Sequence, residues 1–320
     1  MKDNFGREIN YLRISVTDRC NLRCRYCMPA DGFKNIIPRE QILSFEEITR
    51  LAEAAAKLGI HKIRLTGGEP LVRHGIVDLI SRIHEVEGIH EIGITTNGIL
   101  LADMAEDLKK AGVTRVNISI DTLVPEKYSR ITRGGDLNRV FAGIEAAKRV
   151  GLTPVKLNVV ALGGFNEDEF GDFIEMTRNE DIIVRFIELM PIGHADVGDS
   201  YGFISNQEIL SRFPELEPVD NEKYSVSDDF RLPGGKGKVG FISALSNHFC
   251  SSCNKIRLTS DGKIKPCLHS NDEIDMKGPL TLSDDELLEA LRASVNRKVE
   301  HHLLNEGAAP IERDMNKIGG

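Results

Sequence analysis

Six cysteines are the residues best placed for chemistry in this 320-residue sequence, and they fall into two triplets with none left over. Cys20, Cys24 and Cys27 follow a C-x3-C-x2-C spacing near the start, and Cys250, Cys253 and Cys267 follow C-x2-C-x13-C near the end. Met1 to Asn10 are polar and mixed in charge, without the apolar stretch of a secretory signal. A cytoplasmic location with reduced thiols is therefore expected, which favours metal binding or catalysis over disulfides. Three thiolates suit a [4Fe-4S] cluster that leaves one iron without a protein ligand, whereas structural zinc takes four protein ligands in a closed site. An open iron can bind a substrate or cosubstrate. On spacing alone zinc stays available to both triplets: a distant His or Cys would complete the first, and His248 or His269 the second.

The elements that must position these cysteines are legible from Tyr11 to about Met190, where short Ile- and Val-rich runs alternate with amphipathic helical stretches. Strands are expected at Tyr11 to Thr17, Lys62 to Thr66, Glu91 to Thr95, Arg115 to Ile120, Val155 to Leu162 and Ile183 to Leu189. Between them, Ser44 with Glu47 forms a capping box and Asn166 with Glu169 a related cap pattern, while Gly59, Gly112 and Gly151 follow helix ends. The first cysteine triplet directly follows the first strand, at the carboxyl end where α/β active sites are built. The alternation implies an α/β fold with a parallel sheet and right-handed crossovers. Six units are too few for an eight-stranded barrel. The expected fold is an incomplete (βα)6 TIM-type barrel over residues 1–190, with residues 191–320 covering its open side and carrying the second triplet. That second region reads as a short helix near Ser205 to Phe213, turns at Pro233-Gly234-Gly235 and Asp261-Gly262, and a capped helix from Ser283 to about Val299.

Composition narrows the function classes. With 41% hydrophobic residues and no apolar run near the 18 or so that span a bilayer, no membrane segment is expected. A net charge of −8 argues against a general nucleic-acid surface. Residues 1–40 nevertheless hold eight Lys and Arg against five acids, which points to an anionic small molecule.

Tyr26 immediately precedes the last cysteine of the first triplet, and Thr66-Gly67-Gly68-Glu69-Pro70 ends the second strand. This C-x3-C-x-aromatic-C loop, paired with GGEP at the next strand end, resembles the radical S-adenosylmethionine (SAM) superfamily. The resemblance implies that the first triplet holds a [4Fe-4S] cluster whose open iron is chelated by SAM. One electron would then cleave a carbon–sulfur bond to give methionine and a 5'-deoxyadenosyl radical. It places SAM against Tyr26, Gly68, Ser119 and Met190, with Gly68 bare of a side chain so that backbone can approach the methionine portion.

The segment from Asn247 to Leu258, which carries Cys250 and Cys253, resembles the auxiliary-cluster loop of the GTP 3',8-cyclase family, and the similarity runs through to Gly319-Gly320. It implies a second [4Fe-4S] cluster on Cys250, Cys253 and Cys267, with an open iron facing the guanine of GTP. The implied GTP contacts are Arg13, Arg64, Thr95, Lys156 and the loop Lys255-Ile256-Arg257. Lys255 departs from the family's usual arginine and loses the bidentate fork. The implied activity joins C3' of GTP to C8, opening molybdenum cofactor biosynthesis. The product would pass to a downstream cyclic pyranopterin monophosphate synthase, an electron donor would serve the clusters, and a homodimer is expected. The family also inserts its Gly-Gly tail toward the active site. Two rival readings stand beside this one: another radical SAM enzyme with an auxiliary cluster, such as a peptide maturase, and a non-catalytic zinc-binding scaffold. Arg185, near the sixth strand end, has no assigned role.

Overall fold

The β-branched runs of the first half form six parallel strands joined by helices. In chain order these are β1 Tyr11–Ser15, α1 Phe45–Lys57, β2 Lys62–Thr66, α2 Ile76–His84, β3 Glu91–Thr96, α3 Leu101–Lys110, β4 Arg115–Ser119, α4 Pro125–Thr132, α5 Leu137–Arg149, β5 Val155–Ala161, α6 Phe170–Asn179 and β6 Ile182–Glu188. There follow α7 Asn206–Arg212, β7 Glu217–Pro218, β8 Asp228–Arg231, β9 Lys238–Ile242, β10 Lys255–Leu258, β11 Lys263–Lys265, β12 Ile274–Asp275, α8 Asp284–Asn296 and α9 Met315–Ile318. The computed structural model describes residues 1–29, 31–32, 36–192, 201–221, 223–302, 311 and 313–319.

Local chemistry starts the helices. Ser44 and Glu47 form a reciprocal capping box on α1, and Ser283 and Glu286 form another on α8; each such cap is worth about 1 kcal/mol. The cap expected at Asn166 does not form. Its amide is buried, accepting from Leu162 N at 2.9 Å and donating to Asp121 O at 2.7 Å and Val160 O at 2.9 Å. Loop backbone beyond β4 and β5 has no ladder partner there, and the asparagine supplies it. Glu169, the expected box partner, instead accepts from Thr122 Oγ1 and Leu123 N.

The described residues form one twelve-stranded sheet in the order β12-β11-β10-β1-β2-β3-β4-β5-β6-β9-β8-β7. The later half therefore does more than cover the open side: it extends both edges. Strand β10 pairs parallel with β1, from Tyr11↔Lys255 to Ile14↔Leu258, and β9 pairs parallel with β6, from Ile183↔Lys238 to Ile187↔Ile242. Antiparallel strands then finish each side. This pairing satisfies the N–H and C=O rows that β1 and β6 would leave bare. Strands β9 and β10 lie at opposite ends of the parallel run and are not bonded to each other, so the run stays open.

Strand periodicity divides the side chains. Leu12, Ile14, Ile63 and Leu65 pack with Ile48 and Leu51 of α1 in the main core, while Arg13 and Thr66 face the interior. No helix among the described residues is long and apolar enough to cross a membrane.

Candidate functional site

A cavity of about 380 Å³ lies at the carboxyl ends of the parallel strands and is lined by all six cysteines. The first triplet reaches it from the loop after β1, and Gly67-Gly68-Glu69 holds that loop. Gly68 N donates to Thr17 O at 2.8 Å, and Glu69 N donates to Arg19 O at 2.8 Å. A Cβ on Gly67, whose φ is +146°, would lie 2.3 Å from Thr17 O, and one on Gly68 would lie 2.3 Å from Arg19 O. Glycine is thus needed for close backbone contact with the cysteine loop itself, a reason the sequence did not disclose.

The Glu69 carboxylate accepts from Leu71 N at 3.0 Å, Thr96 Oγ1 at 2.8 Å and Asn97 N at 2.7 Å. Burial pushes it up to about 7. Asn97 then donates to Asn21 Oδ1 at 2.8 Å and approaches Cys20 Sγ at 3.8 Å. Arg133 braces the loop from beyond α4, donating to Arg23 O at 2.7 Å and Met28 O at 2.8 Å.

Tyr26, Gly68, Ser119 and Met190 all line the cavity. Tyr26 Oη donates to Asp121 Oδ2 at 2.6 Å, Val160 N donates to the other carboxylate oxygen at 3.0 Å, and burial pushes Asp121 up to about 6. Met190 packs with Ile192, Ile311 and Ile318, and its sulfur lies 3.1 Å from His269 Nε2.

The thiols carry the electrostatic signature of the site. Burial pushes Cys20 up to about 11 and Cys27 up to about 12, and raises Cys24 as well. Such sulfurs ionise when a cationic group takes the place of their protons. Cys250 is also raised by burial. At Cys253 burial acts upward too, but Lys298 and Lys255 outweigh it and the thiol is lowered. Among the described residues no three His, Cys, Asp or Glu side chains are gathered as a single metal ion requires. His248 and His269, the candidate zinc ligands, both meet His302 edge to face, at 5.1 and 4.6 Å between ring centroids. A donor set of three thiols in each triplet fits iron–sulfur clusters, which distribute their thiolates over separate irons.

The same cavity is also lined by cations. Arg13, Thr95, Lys255 and Arg257 line the cavity; Arg64, Lys156 and Ile256 do not. Arg64 and Lys156, 5% and 7% exposed, stand two residues before the cavity-lining Thr66 and Asn158, one layer deeper on the same strand faces. Ile256 faces the other way. The supposed Lys255-Ile256-Arg257 loop is strand β10, whose alternation sends the cations to the cavity and Ile256 into the core. Arg64 Nε donates to Tyr11 Oη at 2.6 Å. Burial opposes ionisation of Tyr11, but Arg64, Arg13 and Lys255 outweigh it and pull the phenol down to about 8. Burial lowers Lys255 to about 8 and Arg257 to about 9.

Sequence reasoning missed Asn117, Asn158 and Lys298 on this wall, and the structure also places Arg185 there. The available signal was a polar residue two places from the next polar one in an otherwise apolar strand, as in Asn117-x-Ser119. Thr95 Oγ1, Asn117 Oδ1 and Asn158 Oδ1 are buried without a hydrogen-bond partner among the described residues. Groups of this kind are satisfied by a bound polar ligand. Near the chain end, Gly319 has φ +80°, a Cβ there would lie 2.6 Å from Thr66 Cγ2, and its carbonyl accepts from Arg257 Nη1. Asn316 seats α9 by donating to Asp18 O at 2.7 Å. Gly320 lies outside the described residues.

Comparison with known proteins matches residues 14–177 to the radical SAM superfamily and residues 182–304 to the family described as Molybdenum Cofactor Synthesis C. A GTP 3',8-cyclase of Alkaliphilus oremlandii is 54% identical over 321 residues, covering 100% of both chains. One from Alkaliphilus metalliredigens is 50% identical over the same span and coverage. Among solved structures, Streptococcus suis SuiB bound to S-adenosylmethionine superposes with a TM-score of 0.62 at 15% identity, covering 97% of this chain and 77% of that one, a likeness of fold alone.

Proposed function

The chain belongs to the GTP 3',8-cyclase family of radical SAM enzymes, and from that premise we propose that one cavity holds both clusters, SAM and GTP together. The enzyme converts GTP to 3',8-cyclo-7,8-dihydroguanosine 5'-triphosphate, the first step of molybdenum cofactor biosynthesis, with SAM as cosubstrate and [4Fe-4S] clusters as cofactors. When bound, the reduced cluster and SAM would supply the radical chemistry that removes hydrogen from C3' of GTP, and joining C3' to C8 would then need one further electron and a proton to reach the 7,8-dihydro product.

The chain's own part is to bind, orient and exclude water. Cys20, Cys24 and Cys27 hold the first cluster; Tyr26, Gly68, Ser119 and Met190 border SAM. Tyr26 is kept in place by Asp121. Cys250, Cys253 and Cys267 would hold the second cluster, beside which the guanine would bind. Arg13, Lys255 and Arg257 meet the triphosphate directly, and Arg64 and Lys156 add positive charge from the deeper layer. Thr95 offers a hydroxyl to the nucleotide. Ile256 contributes only backbone, since its side chain belongs to the core. The observation that carries this reading is that two cysteine triplets more than 220 residues apart in sequence line one cavity together with Arg13, Lys255 and Arg257.

The reading extends to a division at about residue 190, a cytoplasmic homodimer, a one-electron donor for the clusters, and a downstream synthase that forms cyclic pyranopterin monophosphate. The deciding experiment is anaerobic: reconstitute the clusters, add SAM and a strong reductant, and compare 5'-deoxyadenosine formation with and without GTP. GTP-dependent cleavage with appearance of the cyclised nucleotide supports the assignment. Cleavage indifferent to GTP would point to another radical SAM substrate, such as a peptide.

A further inference from the structure

Lys298 lies just beyond the end of α8, is 4% exposed and lines the cavity. Its Nζ donates to Lys255 O at 2.9 Å and to Pro266 O at 2.9 Å. Lys255 stands two residues after Cys253, and Pro266 immediately precedes Cys267. One ammonium group therefore ties together the two arms that bring Cys253 and Cys267 to the same wall. Two backbone carbonyls hold it, and its charge favours the ionised form of Cys250 and Cys253.

The segment carrying Lys298 is itself tied to the same cysteine loop. Arg7, 8% exposed, donates to Val299 O at 2.6 Å, Glu300 O at 2.8 Å and Cys250 O at 2.9 Å, while its Nε donates to Asp3 Oδ2 at 2.6 Å. The residues around Lys298 thus cannot drift from the triplet without breaking a buried arginine's contacts. A desolvated ammonium costs free energy unless it meets compensating charge. Two carbonyl acceptors meet part of that need, and an anionic cluster would meet the rest.

We propose that Lys298 is the positioning and charge-compensating residue of the second cluster: it sets the spacing of Cys253 and Cys267 and raises the reduction potential of the group they hold. The inference rests on reading Cys250, Cys253 and Cys267 as cluster ligands. Reduction adds negative charge to the cluster, and a fixed cation in a low-dielectric wall stabilises the reduced form over the oxidised one.

The test compares Lys298→Arg, which keeps the charge and donors, with Lys298→Gln, which keeps a donor and loses the charge, in the anaerobically reconstituted full chain. Iron and acid-labile sulfide report whether both clusters are held. A redox titration followed by electron paramagnetic resonance reads the potential of the signal that SAM leaves unchanged. The expected result is a more negative potential in Lys298→Gln, with Lys298→Arg close to the parent. If Lys298→Gln loses the second cluster, Lys298→Arg decides: retained iron and potential support the proposal, and loss in both variants overturns it. Equal potentials in parent and Lys298→Gln also overturn it. A parent chain that holds only one cluster instead overturns the ligand assignment on which the proposal stands.

Discussion

Cys24 and Cys253 are the same side chain under opposed electrostatics: burial holds the first thiol protonated, while two neighbouring lysines overcome burial at the second. The two triplets come from separate segments and are expected to be emptied separately. Cys267→Ala is expected to lose about half of the iron and sulfide, to keep SAM cleavage and to yield no cyclised nucleotide; iron analysis and product chromatography check it. If Arg13 meets the triphosphate as proposed, Arg13→Met is expected to remove a charge-assisted contact worth about 1.5–3 kcal/mol, roughly a 10- to 150-fold loss in GTP affinity. Titration calorimetry with GTP, and with SAM as a control that stays unchanged, reads this directly. Glu69 and Asp121 carry a pH signature. Both are raised by burial, to about 7 and about 6, so the folded chain retains protons that the unfolded chain has released. Stability contributed by these groups falls as pH rises from the ordinary carboxylate range toward 7. Glu69→Gln is expected to flatten the fall of the thermal midpoint across that window; an unchanged slope would contradict the burial argument.

Among the elements, the second βα junction carries the most consequence per residue. Gly68→Ala would place a methyl 2.3 Å from Arg19 O, and since the obstacle is backbone, the cysteine loop must move. The expected outcome is loss of the first cluster and of SAM binding with the second cluster kept, seen as about half the iron and an unchanged far-ultraviolet spectrum. The six parallel strands were legible to within a residue or two, because strands buried on both faces read as apolar β-branched runs. Asn166 was misread, since the side chain that caps a helix can equally satisfy buried loop backbone. Strand β10 was taken for a loop because its inward face is cationic, and charge on alternate residues masks the apolar period.

For the molecule as a whole, the region after residue 190 supplies the sheet's outer strands on both sides. Residues 1–190 alone would expose β1 and β6 as bare edges. Expressed by themselves they are expected to aggregate and to show no cooperative thermal transition, whereas the full chain melts cooperatively; calorimetry distinguishes the two. The amino-acid sequence alone determined the two cysteine triplets, the GGEP junction and the βα rhythm, since cysteine spacing and strand period are local properties of consecutive residues. Only the tertiary structure decided that Cys27 and Cys267 line one cavity, that Arg64 and Lys156 lie two residues below the cavity-lining Thr66 and Asn158, and that Lys298 bridges the arms of the second triplet. Those relations depend on sheet register and edge pairing between segments hundreds of residues apart, where many small contacts sum to one arrangement and no short stretch of sequence records the result.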